Sequence, residues 1–267
     1  MHNKLKKMMK GSSEGYCRIC GEYDKLTEDH IPPHGCGNNS IVTIRNFEGH
    51  ISYSQNGSKV KTICSECNNK RLGIDSDSEL VRIYNEVKSN YSSIIQNPNR
   101  EISITVNPQK IIKSICGHLL AIMVGDEVER ELSEKPIMTD YLTELRDFVI
   151  YDKSMKSVTV FYWFYPHDEM RIIQYFGKIP DVSELNNVIY GSIFKFFPFG
   201  FWIVNSKSST CFPRFNVMPQ DISTYVMKLN IRNVLHESKP EMPESNGLIL
   251  INGGNFIDIK KKRNDMQ

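Results

Sequence analysis

Cys17-Arg18-Ile19-Cys20 opens a stretch that runs through Leu26-Thr27-Glu28-Asp29-His30-Ile31-Pro32-Pro33-His34 and closes on Cys64-Ser65-Glu66-Cys67-Asn68. Two Cys-x-x-Cys pairs of identical spacing supply four thiolates, enough to close a tetrahedral structural zinc site with two knuckles around one ion. The gap between the pairs exceeds the spacing of roughly 15–20 residues common in zinc ribbons. A sizeable insert is therefore expected inside the clasp. The chain has seven cysteines, an odd number, and no apolar segment follows the basic start Met1–Lys10 as a secretory signal requires. Metal binding in a reducing, cytoplasmic setting explains them better than disulfides do.

Composition narrows the class further. The chain has 267 residues, 40% hydrophobic and 24% charged, with a formal net charge of +2. These values fit a globular protein of one large or two modest domains. No apolar run of about 18 residues is present, so no membrane partner is expected.

Inside the clasp, the order Cys-x-x-Cys, Asp-His-Ile-Pro-Pro, Cys-x-x-Cys-Asn resembles the zinc-containing branch of the HNH (ββα-metal) endonucleases, the endonuclease VII-type phage resolvases among them. The likeness covers about residues 16–80, and two features depart from the pattern: the insert between Pro33 and Cys64 is long, and the last HNH position is Asn68 where the name-giving motif has His. The resemblance implies a structural zinc on Cys17, Cys20, Cys64 and Cys67. It implies His30 as general base, and Asp29 and Asn68 as ligands of a catalytic Mg²⁺ or Mn²⁺. It also implies cleavage leaving a 5′-phosphate and a 3′-hydroxyl, in phage resolution, restriction, mobile-element biology or antiviral defence.

The residues support the same chemistry independently. Phosphodiester hydrolysis needs an activated water and a cation beside the phosphate. Imidazole titrates near neutrality, so His30 can take a proton from water. Asp29 and Asn68 make a sparse oxygen site of the kind Mg²⁺ accepts, since that ion keeps several waters. Alternation along a strand puts Asp29 and His30 on opposite faces. Asn68 follows directly on Cys67, so fixing that thiolate fixes the start of a helix expected from about Ser65 to Gly73. His34, in a Pro-Pro-His-Gly turn, either assists at the phosphate or faces solvent. Cys36 reads as incidental, and His50 has no assigned role.

The insert reads as β structure: Ile41–Ile44, Ile51–Ser54, then an Asn56-Gly57 turn into Lys59–Ile63, extending the hairpin beside the helix. Arg45, Lys59, Lys61, Lys70 and Arg71 are candidates for a phosphate track. Residues 1–73 hold 11 Lys and Arg against 7 Asp and Glu, a slight excess, so DNA affinity would require local clustering.

A helix is expected to run on to about Tyr91, and Gln96-Asn97-Pro98-Asn99 marks the expected boundary between an HNH domain (1–96) and an α+β accessory domain (97–267). In the latter, Asn107-Pro108 opens an apolar helix with Ile111, Ile112, Ile115, Leu119 and Ile122 on one face. Cys116 and His118 read as core thiol and satisfied histidine. A second helix is expected over Met138–Phe148. The runs Val158–Tyr165, Met170–Phe176, Tyr190–Phe196 and Phe199–Val204 suggest a four-stranded antiparallel meander, with Tyr162, Trp163, Tyr165 and Trp202 as sheet core or a base-stacking platform. Lys260–Arg263 reads as a solvated end or a DNA tether. The expected fold class is thus α+β. The expected partner is DNA in preference to RNA, with a homodimer and a regulatory ligand or partner protein as further candidates. The rival function is a non-catalytic, zinc-stabilised nucleic-acid-binding protein.

Overall fold

The computed structural model describes residues 11–46, 51–97, 101–123, 128–179, 189–205, 216–230, 248–250 and 256–261. Met1–Lys10, His50, Cys211, Lys262 and Arg263 lie outside them. The fold is mixed α+β, built on antiparallel sheets.

The clasp folds as a three-stranded sheet ordered β1 (Glu14–Tyr16), β2 (Tyr23–His30), β5 (Lys59–Cys64), followed at once by a helix. That helix, α1 (Glu66–Asp77), is wound as a π-helix and passes directly into α2 (Ser78–Gln96). Gly73 does not end it, contrary to the break expected there. Within it the Ser76 hydroxyl donates to the carbonyl of Arg71, at 3.0 Å. Leu80, Ile83, Tyr84 and Val87 carry α2 into the core.

The insert strands β3 (Val42–Asn46) and β4 (Ile51–Ser54) do not extend the clasp hairpin. They join the large sheet, whose order is β11-β7-β10-β9-β8-β14-β3-β4, with β13 also paired to β8. Its other strands are β7 (Val158–Phe164), β8 (Met170–Ile179), β9 (Ile189–Phe196), β10 (Phe199–Asn205), β11 (Asn216–Val217), β13 (Leu248–Leu250) and β14 (Phe256–Lys261). A two-strand pair of β6 (Glu101–Val106) and β12 (Tyr225–Asn230) stands apart. The four expected aromatic strands all form, but β7 closes on β10 instead of β8, so the connectivity is not a simple meander.

β14 pairs with β3 on one side and β8 on the other. A single buried core accordingly runs from Cys17 to Ile259. On β7 and β10, Tyr162, Phe164, Phe201 and Ile203 face this core, and Phe161, Trp163 and Trp202 alternate to the opposite face. Both faces are covered. Tyr162, Trp163, Tyr165 and Trp202 are all buried, so none offers a ring face to an unpaired base; these aromatics are sheet core.

Helix α3 (Pro108–Ile122) is capped as its sequence suggests, with the Asn107 side chain accepting from the Lys110 amide at 3.1 Å and Pro108 in the first turn. Its five expected apolar residues are buried, and so are Cys116, Gly117, His118, Leu120 and Ala121. Every residue from Ser114 to Ile122 is buried, so the second half of α3 runs through the interior on all sides. The remaining helices are α4 (Val128–Ser133) and α5 (Asp140–Tyr151).

Gly117 sets how closely α3 approaches α1, since a Cβ there would lie 2.3 Å from a methyl of Leu72. Gly117→Val should therefore destabilise the protein by about 1–3 kcal/mol through overpacking, read as a lower midpoint of denaturant unfolding. The expected loss is larger than that for Val→Ala at exposed Val226.

Candidate functional site

The first knuckle is a tight turn in which Cys17 donates its amide to the carbonyl of Glu22 and accepts from the Gly21 amide, both at 2.8 Å. Gly21 sits at φ +75, where a side chain would be strained. The second knuckle spans the end of β5 and the first turn of α1. Together they bring the sulfurs of Cys17, Cys20, Cys64 and Cys67 within 4.8 Å of one another. Cys20 and Cys64 are 3.8 Å apart, and a tetrahedron with Zn–S of about 2.3 Å has an edge of about 3.8 Å. The cluster could hold a structural metal such as zinc, and none of its cysteines forms a disulfide. The thiols titrate as a set: hydrogen bonding from Cys20 pulls Cys17 down to about 7 and hydrogen bonding from Cys17 pulls Cys64 lower still, while the same contacts push Cys20 and Cys67 up. A cation replaces those shared protons with four thiolate bonds.

Fixing Cys67 fixes Asn68. Its Nδ2 donates to the Thr27 hydroxyl at 3.0 Å and the Glu28 carbonyl at 2.8 Å, stitching α1 to β2. Both amide hydrogens are thereby used, and Oδ1 is the end left without a hydrogen bond among the described residues.

Opposite these contacts the ladder is irregular. Thr27 pairs with Ile63 and Asp29 with Val60, so Lys61 and Thr62 together face Glu28. Beyond the irregularity Asp29 turns inward and is 3% exposed, while His30 stays half-exposed on the other face. The Oδ2 atom of Asp29 lies 2.9 Å from Nδ1 of His118, and Nε2 of His118 lies 3.1 Å from Oδ1 of Asp77. Ser114 also donates to that Asp77 oxygen, at 2.6 Å. An ionised carboxylate only accepts, so a carboxylate on each ring nitrogen requires a proton on each, and His118 is an imidazolium. Burial alone would lower it, but Asp29 and Asp77 outweigh burial and raise it to about 10. Burial pushes the Asp29 carboxyl up, and the charge of His118 opposes the push.

His30 is fixed differently. Its Nε2 lies 3.2 Å from the carbonyl oxygen of Asn56, which can only accept, so Nε2 carries the proton and Nδ1 of the neutral ring is the free base. His34 packs edge-on at 5.0 Å between ring centres. Burial, then the neighbouring His34 charge, hold His30 below the usual imidazole range.

The candidate phosphate contacts are mostly engaged. Arg45 pairs with Asp258 at 3.0 Å, Lys59 with Glu28 at 2.5 Å and Lys70 with Glu66 at 2.8 Å. Arg71 turns into the protein and donates to the carbonyl of Ile150 at 3.1 Å. Lys61 is half-buried within electrostatic reach of Glu28. Cys36 is buried, and its thiol is pushed well up by burial.

His118, Asp77 and Ser114 are the site residues that sequence reasoning left out. His118 does prove to be a buried, satisfied histidine, but its partner is the very Asp29 of the motif. The available signal was a histidine on an otherwise apolar helix, which must find polar partners if buried. Nothing local identified them. Among the described residues, no helix is long and apolar enough to cross a membrane. Comparison with protein-family models, known proteins and solved structures finds no match.

Two outcomes are expected. Purified protein should carry one zinc per chain, and Cys67→Ser should lose the metal and the ordered clasp together, seen by elemental analysis and circular dichroism. The folded value of His118, about 10, lies above its unfolded value of 6.5. Its stabilising contribution is therefore complete below pH 6.5 and lost as pH rises through about 10. The stability gap between wild type and His118→Gln should shrink over that window in denaturant titrations.

Proposed function

We propose that this chain is a metal-dependent endonuclease of the HNH type, hydrolysing phosphodiester bonds in DNA in a reducing, cytoplasmic setting. The observation that carries the reading is His30, whose tautomer is set by the Asn56 carbonyl so that Nδ1 is the proton acceptor, on the strand to which a cysteine-clamped Asn68 is bonded. His30 takes a proton from water through Nδ1, and the resulting hydroxide attacks phosphorus. The P–O3′ bond breaks, O3′ leaves with the bonding pair and takes a proton from solvent water, and the products are a 3′-hydroxyl and a 5′-phosphate. Its depressed pKa keeps the ring neutral, and so competent as a base, at physiological pH.

Asp29 Oδ1 and Asn68 Oδ1 are oxygens without hydrogen bonds among the described residues, and hard oxygen donors suit Mg²⁺ or Mn²⁺. These two side chains would hold the ion, which when bound supplies neutralisation of the phosphate and the leaving oxygen. His118 then acts as a positioning residue, pinning the other Asp29 oxygen. His34 packs edge-on against His30, and burial and the His34 charge together hold the basicity of the His30 ring down. Free, buried cysteines agree with a reducing compartment. The resemblance suggests roles in defence, restriction, mobile-element biology or phage resolution, and a symmetric dimer would suit an enzyme that cuts both strands.

A second reading is favoured by the pairing of Asp29 with His118, since a carboxylate buried against an imidazolium is also what a structural residue does. In it the clasp is a non-catalytic nucleic-acid-binding module.

Plasmid nicking decides between the two. Supercoiled DNA with Mg²⁺ or Mn²⁺ should be relaxed or linearised, EDTA should stop the reaction, and His30→Ala should lower the rate by about 10²–10⁴-fold while keeping zinc and DNA binding. No cleavage by wild type under any of these conditions, with DNA still bound, establishes the binding module. The acid limb of the rate profile should fall below pH 6.5, the usual imidazole value from which His30 is depressed.

A further inference from the structure

Glu28 directly precedes Asp29 and His30 on β2, yet its carboxylate takes no part in the proposed hydrolysis. Its backbone is fixed, because the carbonyl accepts from Asn68 at 2.8 Å. It sits at the irregularity of the ladder, where Lys61 and Thr62 together face it. Bulges of this kind re-aim a side chain beside a site. Burial shows how the chains sort here. Asp29, Val60 and Thr62 point inward, while Glu28, His30, Lys59 and Lys61 share the outer face.

On that face Glu28 holds the cation that the ladder sets opposite His30. Lys59 is the cross-strand partner of His30, and its Nζ lies 2.5 Å from Oε2 of Glu28. His30 and Lys61 are also within electrostatic reach of this carboxylate. A phosphodiester approaching His30 would meet the same three groups. Carboxylate and phosphate oxygens ask for one and the same contact, a charge-assisted hydrogen bond from the ammonium. They compete for it, and two anions side by side repel. Both ends of the Lys59–Glu28 pair reach solvent. Ion pairs of that kind are weak, so a DNA backbone bringing several phosphates at once can displace the carboxylate. Arg45 is held more firmly, since its partner Asp258 is buried and also faces Arg171.

We propose that Glu28 is a built-in stand-in for substrate phosphate, which holds Lys59 beside His30 and is displaced when the DNA backbone binds. The inference rests on the reading of the His30 face as the surface that meets DNA. It makes Lys59 a phosphate-binding residue and Glu28 the residue that sets its availability.

Zinc-loaded full-length protein and its variants are titrated against a labelled DNA duplex without added Mg²⁺, with fluorescence anisotropy as readout, so that binding is read apart from cleavage. Glu28→Gln should bind about three- to tenfold more tightly than wild type, since it frees Lys59 and removes a like charge from the path of the phosphate. In a Lys59→Gln background the same substitution should lose most of that gain, because no ammonium is left to release. Glu86→Gln, which takes an acidic partner from Arg82 on α2, should change affinity by less than about twofold. The proposal is overturned if Glu28→Gln binds no tighter than wild type, if its gain persists undiminished without Lys59, if Glu86→Gln gives an equal gain, or if no variant binds DNA. Plasmid nicking keeps this apart from the nuclease reading. Tighter binding by Glu28→Gln with no cleavage by wild type leaves the stand-in and removes the nuclease, and cleavage by wild type with unaltered binding by Glu28→Gln does the reverse. A Glu28→Gln protein that binds like wild type but no longer cuts also overturns the proposal, and makes the carboxylate a further oxygen of the cation site.

Discussion

Four sulfur atoms packed within 4.8 Å of one another are an unstable arrangement unless something holds them. As thiols they share protons awkwardly, and as thiolates they repel. A bound cation resolves both difficulties and converts two floppy knuckles into one rigid joint. The rest of the N-terminal region hangs from that joint. It fixes where β5 ends and α1 begins, and α1 has little apolar surface of its own, with only Cys67, Leu72 and Ser76 buried along it. Asn68 then reaches β2 because Cys67 cannot move.

A second constraint acts from the other side of the sheet. Asp29 is carried into the interior by the irregular pairing of β2 with β5, and a lone buried carboxylate would be several kcal/mol unfavourable. His118 compensates it, and Asp77 and Ser114 compensate His118. Three segments, β2, α1 and α3, are thereby tied through one imidazole ring. Removal of either partner leaves the other as an unpaired internal charge, so the network rigidifies the strand end on which His30 sits. Thr62 adds a further tie, donating its hydroxyl to the carbonyl of Ala121 at the end of α3.

Much of this was legible in the sequence because it is local. The knuckles are read from spacing, α3 from Asn107-Pro108 and a 3–4 apolar pattern, and β7 through β10 from aromatic and β-branched runs. Alternation separates Asp29 from His30 correctly. The unread parts are those decided by distant partners. His118 meets Asp29 across 89 residues, and no helical pattern encodes that meeting. The strands β3 and β4 are recognisable as strands, but which sheet they join is settled by β14 at the other end of the chain. The lysines and arginines looked like a track because their acidic partners, Asp258 for Arg45 and Glu28 for Lys59, are invisible to a composition count. The break expected at Gly73 failed because burial of Leu72 and Ser76 holds the helix together through it.

The seam between β3 and β14 has a consequence for how this chain can be dissected. Arg45 and Asp258 form an ion pair across 213 residues, and the strands that carry them complete one hydrogen-bonded ladder. A fragment cut at the Gln96–Asn97 joint would present β3 with a bare edge, an invitation to aggregate, and would strand Asp29 without its imidazolium. The Cys-x-x-Cys and Asp-His segment is thus not a portable cassette that could be grafted elsewhere intact. Contacts of such long sequence separation also predispose the chain to slow assembly, since β14 must be in place before β3 and β4 can join the large sheet.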